Sequence, residues 1–241
     1  MDIAVDERKQ KRVEFFTGAR DTVPLLVGAF PFGLIYGTLA VSVGMSVPAA
    51  LGMSAIVFAG SAQFIAVGLI GAHAAPAVII ATTFIVNLRH MLYAANLLPY
   101  ISRLPQKWKI PLSFWLTDEV FAVVAKRYPS QDASAWKHWY QLGSSVAMYL
   151  NWQFWCAVGV ISGSLIPGIE NLGLDVAMVV TFVGMVVPYV KNRPMAYAVL
   201  TAGAASLAFA FLPYKLGLIL AGLCGIAAGF FSQKLNLKGS V

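Results

Sequence analysis

The chain has 241 residues, of which 59% are hydrophobic and only 11% charged, and its mean hydropathy is +0.75. That is more apolar surface than a soluble domain of this length can hide in one core, so a soluble enzyme or binding module is excluded. The formal charge of +7 comes from cations dispersed at the ends of apolar runs, with no recognition module beside them. Anionic lipid headgroups fit that distribution and nucleic acid does not.

The opening MDIAVDERKQKRVEFF is polar and lacks a short apolar core followed by a small-residue cleavage site, so residues 1–21 read as a cytoplasmic tail and not as a signal peptide. Apolar runs of about 20 residues then recur to the C-terminus. Candidate spans are 22–44, 47–72, 74–98, 111–127, 139–165, 172–190, 194–212 and 214–231. Their length and their Ala, Leu and Gly content argue against barrel strands. The expected fold is an all-α polytopic membrane protein, a bundle of about eight transmembrane helices (seven to nine), some kinked or discontinuous. A single transport domain fills 22–231, and 232–241 forms a cytoplasmic C-terminal tail.

The first span carries GAFPFGLIYG. Pro31 removes a backbone donor and clashes with the preceding turn, while Gly33 and Gly37 offer a small-residue face, so Pro31 and Gly33 are candidates for a helix break. VFAGSAQF sets Gly60 and Ser61 beside Gln63 in the middle of the second span, a further break candidate. Such breaks serve either packing or a solute site near mid-membrane, because freed backbone groups there need a partner in protein or cavity water.

The third span contains FIVNLRHMLYAANLLPY. Arg89 lies about 4–5 Å from its midpoint at helical rise, too deep to reach a headgroup easily. Thr83, Asn87 and His90 share one stripe, and Arg89, Tyr93 and Asn96 a neighbouring one. A buried guanidinium needs a counter-charge, and TDE in the fourth span offers Asp118 or Glu119. His90 is either a hydrogen-bonded histidine or a proton carrier. The segment ISRLPQKWKI, 101–110, reads as an interfacial linker, and Asp21 and Asp175 as helix-start residues. The Trp residues at 136, 139, 152 and 155 read as belt or packing positions.

With eight spans and both termini cytoplasmic, twelve of the seventeen basic residues fall inside, but Arg103, Lys107 and Lys109 fall outside. Either one of the first three spans is re-entrant or the charge rule is only statistical here. Cys156 and Cys224 have no CxxC spacing, and no metal-ligand cluster, nucleotide loop, nucleophile elbow or cofactor fingerprint is present. From residues alone the chain is a carrier of a small solute, with a channel or a membrane enzyme acting on a lipid or other small amphiphile as the alternatives.

PFGLIYG at 31–37, GSAQF at 60–64, NLRHMLYA at 87–94 and TDEVFAV at 117–123 resemble the AzlC-type large subunit of the branched-chain amino acid exporter family, over nearly the whole chain. The resemblance implies a secondary transporter in the prokaryotic inner membrane, exporting leucine, isoleucine, valine and possibly methionine. It also implies coupling to the proton motive force, no cofactor and a small AzlD-type membrane subunit as partner. The positions matching its motifs are Pro31, Gly33, Gln63, Asn87, Arg89, His90, Tyr93, Asp118 and Glu119. A zwitterion suits this polar set. Arg89 or the amides around Gly60, Ser61 and Gln63 would meet the carboxylate, and Asp118 or Glu119 the ammonium or a proton. Phe32, Phe58, Phe64 and Leu92 would receive the side chain.

Overall fold

The structure, a computed structural model, describes residues 2–130, 134–165, 183, 187, 190–212 and 216–238. Ten helices account for most of them: α1 (Asp2–Ser42), α2 (Val47–Val57), α3 (Gly60–Gly71), α4 (Pro76–Asn87), α5 (Arg89–Ile101), α6 (Gln106–Phe114), α7 (Asp118–Arg127), α8 (Lys137–Leu165), α9 (Arg193–Ala208) and α10 (Leu216–Lys238). The stretches Asp6–Ser42 and Pro76–Ile101 are long and apolar enough to cross a membrane, and several further helices are apolar but shorter. Most of the expected sixth span, with Asp175 and Pro188, lies outside the described residues.

The centre of the fold is the pair α1 and α8, packed in parallel. Gly143 faces Phe15, Asn151 Nδ2 donates to the carbonyl of Leu26 (3.3 Å), Gly33 faces Trp155 and Cys156, and Gly163 faces Thr38, so residue numbers rise together along both helices. Backbones touch there because glycines remove the intervening side chains. A Cβ at Gly143 would collide with the carbonyl of Phe15, one at Gly37 with that of Cys156, and one at Gly163 would lie 2.9 Å from Thr38 Cα. Thr22 Oγ1 bonds Ser144 Oγ at 2.7 Å inside the same seam.

α1 runs without interruption through Pro24 and Pro31, so the expected break at Pro31 and Gly33 is absent. One missing backbone donor does not part a helix that α8 supports along this length, and Gly33 serves as the contact surface. Asp21 is likewise inside α1 and does not start a helix; its carboxylate accepts from Tyr140 Oη at 2.7 Å.

Two of the expected crossings are hairpins, and for 47–72 this is the re-entrant alternative that the basic residues at 103–109 leave open. Ala50 in α2 accepts from Tyr36, whereas Ala55 accepts from Tyr149 and Phe58 packs on the Tyr149 ring, so α2 runs back toward the middle of the seam. α3 then climbs from Gly60 beside Trp152, past Phe64 beside Phe32 and Tyr36, to Gly71 beside Val43. The segment 47–72 therefore enters and leaves at the same end of α1. The segment following α5 does the converse. Trp108 in α6 packs against His138 and Trp139, Leu112 accepts from Gln141, and Trp115 reaches Tyr149; α7 returns until Tyr128 bonds Gln141 and Arg127 pairs with Glu14. The supposed linker 101–110 is partly the start of this second hairpin.

Hydropathy does not distinguish the two geometries, because about 25 apolar residues suffice either to cross once or to dip in and return. Only α4 with α5 crosses between α1 and α8. That single crossing is what lets the flanking helices run parallel. Consequently the segment with Arg103, Lys107 and Lys109 lies at the N-terminal end of α1, where Lys11 covers the Trp136 ring at 3.9 Å and His138 sits among Trp108, Trp136 and Trp139. Glu14 is only 8% exposed and also accepts from Ser134 Oγ at 2.5 Å, which ties α1 to α7 and to the chain before α8.

Two outcomes follow. Gly143→Val and Gly159→Val should each cost about 3 kcal/mol or abolish folding, read as loss of the monodisperse peak and of the melting transition, while Gly52→Ala, with open space around it, leaves both unchanged. In a chain with Cys224 replaced by serine, cysteines placed at Arg8 and Arg103 should react with an impermeant thiol reagent from the same face of the membrane. Labelling from opposite faces would restore the straight second span.

Candidate functional site

The two hairpin tips meet at mid-depth. The first is Phe58 and Ala59, between α2 and α3, with Phe58 in the left-handed region (φ 41°, ψ 46°). A bulky residue there costs about 1–2 kcal/mol, offset by burial of its ring, 4.8 Å from Tyr149 in an edge contact. The turn leaves α3 with no side-chain cap. Its first internal bond is Gln63 N to Ala59 O (2.9 Å), so the amides of Gly60, Ser61 and Ala62 have no helical acceptor. The second tip runs from Trp115 to Thr117, and Thr117 Oγ1 caps α7 by accepting from Val120 N at 3.4 Å.

Between the tips lies a narrow cleft lined by Ser61, Arg89, His90, Asp118 and Glu119 on its polar side. Phe32, Phe58, Met148 and Trp152 supply most of the apolar wall. Such a mixture, mostly apolar with a few convergent polar groups, is what small-solute sites have in common.

The third span is irregular here too. Leu88 interrupts it for one residue while keeping right-handed dihedrals, and Arg89 opens α5 without a side-chain cap. Arg89 Nη1 pairs with Asp118 Oδ2 at 3.1 Å, and Tyr93 Oη donates to Asp118 Oδ1 at 2.6 Å. Tyr93 also stacks on Phe121 (4.5 Å, 13° between planes), and His90 meets its ring edge-on at 5.7 Å. Both carboxylate oxygens of Asp118 are thus taken by α5. Glu119, its neighbour, has no Lys, Arg or His nitrogen within 4.0 Å among the described residues.

Several donors at the site are buried without an acceptor among the described residues: Ser61 Oγ, Arg89 Nε and Trp152 Nε1. Trp152 is 7% exposed and its ring edge lies against Gly60. No group of three metal-ligating side chains occurs among the described residues, and Cys156 and Cys224 are free thiols.

Of the residues singled out from the sequence, Ser61, Gly60, Arg89, His90, Asp118 and Glu119 line the cavity, and Tyr93 touches it through Asp118. Gln63 does not line it: it is fully buried within α3, beside Tyr36. Asn87 ends α4 with its Oδ1 buried and unpartnered, again outside the lining. Thr83 bonds its own helix, Asn96 and Leu92 face outward, and Phe64 packs between Phe32 and Tyr36. Trp152 and Met148 were not expected. A tryptophan in an apolar run reads as a belt residue, and only its neighbour Asn151, bonded to the carbonyl of Leu26, hints that this turn of α8 faces protein.

The profile of the AzlC protein family matches residues 24–166, which contain both hairpins, the whole cavity and the α1–α8 seam from Pro24 onward. A membrane protein of Archaeoglobus fulgidus is 30% identical over 222 residues, covering 89% of this chain and 94% of that one. The branched-chain amino acid transport protein AzlC of Bacillus subtilis is 27% identical over 203 residues (82% and 78%). The inner membrane protein YgaZ of Escherichia coli is 28% identical over 151 residues, a match spanning 62% of this chain and 61%, under two thirds, of that relative. No solved structure matches the chain. With the family profile covering more than half its length, the chain belongs to the AzlC family of membrane transport proteins.

Proposed function

We propose that this protein is the large subunit of a secondary transporter that exports leucine, isoleucine and valine, and with them methionine, from the prokaryotic cytoplasm at the expense of the proton motive force. The observation that carries this reading is the cavity between the hairpin tips, where uncapped amides and unpaired donors face a carboxylate across an apolar wall. A neutral amino acid presents the complementary groups. Its carboxylate suits the amides of Gly60 and Ser61, the Ser61 hydroxyl and the Trp152 indole, at the positive end of α3. Its ammonium suits Glu119, and its side chain suits Phe32, Phe58 and Met148. The similarity to the branched-chain amino acid transport protein of Bacillus subtilis supports the same cargo class. An apolar wall separates side chains differing by one methylene by only about 1–3 kcal/mol, which predicts overlap among the four cargoes.

In this reading Arg89, Asp118 and Tyr93 hold the second hairpin against α5 and do not themselves grip cargo. The transport domain occupies 22–231, between a cytoplasmic N-terminal tail and 232–241. A small AzlD-type subunit completes the transporter. Eleven of the seventeen basic residues (Arg8, Lys9, Lys11, Arg12, Arg20, Arg103, Lys107, Lys109, Lys126, Arg127 and Lys137) belong to the end of the bundle where α1 starts, and 21–88 contains none. That asymmetry supports an N-terminus in the cytoplasm.

Counterflow of labelled L-leucine and L-valine in proteoliposomes, with and without the small subunit, tests the assignment. Exchange that Trp152→Leu reduces at unchanged protein abundance is expected. Absence of exchange under both conditions, or turnover of a lipid substrate in detergent, would sink it. The clamp has its own signature: Arg89→Gln alone leaves the half-buried Asp118 carboxylate without its cation and should destabilise by about 1–2 kcal/mol, more than Arg89→Gln combined with Asp118→Asn. Equal losses in the single and double variants would mean that the ion pair does not hold the hairpin.

A further inference from the structure

We infer that Glu119 is the point of exchange between proton and cargo, one carboxylate that holds either a proton or the cargo ammonium but never both. The inference rests on the amino acid carrier reading above and deepens it. Asp118 is the obvious rival, but its two oxygens are committed, one to Arg89 at 3.1 Å and one to Tyr93 at 2.6 Å, and freeing it would undo the contact that holds the hairpin tip. Glu119 lines the same cavity and lies one residue further along α7, with no cationic side chain within 4.0 Å among the described residues. A half-buried carboxylate set beside Phe32, Met148 and Trp152, with no cationic side chain in reach among the described residues, calls for a positive partner or a proton.

The groups facing Glu119 limit what that partner is. α7 itself contributes Asp118 and Thr117; α5 contributes Arg89, His90 and Tyr93; the first hairpin contributes Ser61. From α1 and α8 the lining is Phe32, Met148 and Trp152, without a titratable group. Arg89 is held by Asp118, so among the described residues the cation for Glu119 comes from the cargo. When the ammonium arrives at a protonated Glu119, the O–H bond breaks and the proton passes to the water on the side from which the cargo entered. The ammonium keeps all three of its protons. When cargo leaves on the far side, a proton from that side takes its place, so one cargo exported brings one proton in.

The experiment is L-leucine binding to the full chain in nanodiscs, followed from about pH 9 down to about pH 4, with proton release measured in weakly buffered solution. Competition at one carboxylate predicts that the apparent Kd of the wild type rises roughly tenfold per pH unit on the acid limb, with up to about one proton released per leucine bound there. Glu119→Gln should bind more weakly, with a flat profile and no proton release. Glu119→Asp keeps the charge and moves it by one methylene, so it should keep the slope and shift its midpoint. A sloping profile in Glu119→Gln would overturn the inference and place the proton on His90 or Asp118. Should that variant not fold, an unchanged midpoint in Glu119→Asp overturns it equally. Flat binding without proton release in the wild type rejects the exchange at Glu119 but leaves the carrier intact. No binding of leucine, valine or methionine, with or without the small subunit, rejects both.

Discussion

The close parallel contact of α1 and α8 is the constraint on which the other elements depend. Parallel neighbours joined through about 95 residues of intervening chain require that chain to cross the membrane an odd number of times. It does so once, with α4 and α5, and the rest of it is folded into two hairpins that lean on the seam from opposite ends. Glycine at 18, 33 and 37 on one helix and 143, 159 and 163 on the other brings the backbones together. Close approach of this kind replaces the hydrophobic driving force that lipid surroundings cannot supply.

The hairpins explain why polar chemistry survives at mid-depth. A straight helix satisfies its own backbone and has nothing to offer a solute, whereas each tip exposes amides that only a cavity can accommodate. The first tip keeps its amides free, because Ala59 cannot cap them and Phe58 is locked by its ring against Tyr149. The second is closed by Thr117 and stocked with two acids instead. One tip thus supplies donors and the other acceptors. Arg89, from the crossing helix, neutralises one acid and leaves the other beside the donors.

Much of this was readable from residue types alone, and the omissions have physical causes. A cation at position 89 demands a counter-charge, and TDE is the only acidic run in the apolar middle of the chain, so that pairing needs no coordinates. The interruption at Gly60 is visible in the same way, as small and polar residues set in an apolar run. Direction is not visible, because hydropathy counts residues and is blind to whether a 25-residue run continues or turns back. Pro31 misleads for a related reason: its local cost is certain, but the support from α8 that outweighs it comes from residues about 125 positions away. Helical spacing puts Asn96 on one stripe with Arg89 and Tyr93, but spacing fixes which residues share a face without fixing which face meets the cavity, and neither the polarity of Gln63 beside the Gly60 break nor the apolar character of Leu92 says where its side chain points. Trp152 reads as a belt or packing position and not as a site residue because indoles are common wherever protein meets lipid.

An element that returns to the side it came from has a further property: it is neutral in parity. Insert such a hairpin into a membrane chain, or remove it, and every helix downstream keeps its direction. A straight span has no such freedom, since adding one inverts everything after it and strands each basic anchor on the wrong face. Both tips that form the cavity in this chain belong to parity-neutral elements. The scaffold of α1, the α4–α5 crossing and α8 is topologically complete without them, so the part of the molecule that meets solute can be remodelled while the part that meets the lipid bilayer keeps its orientation.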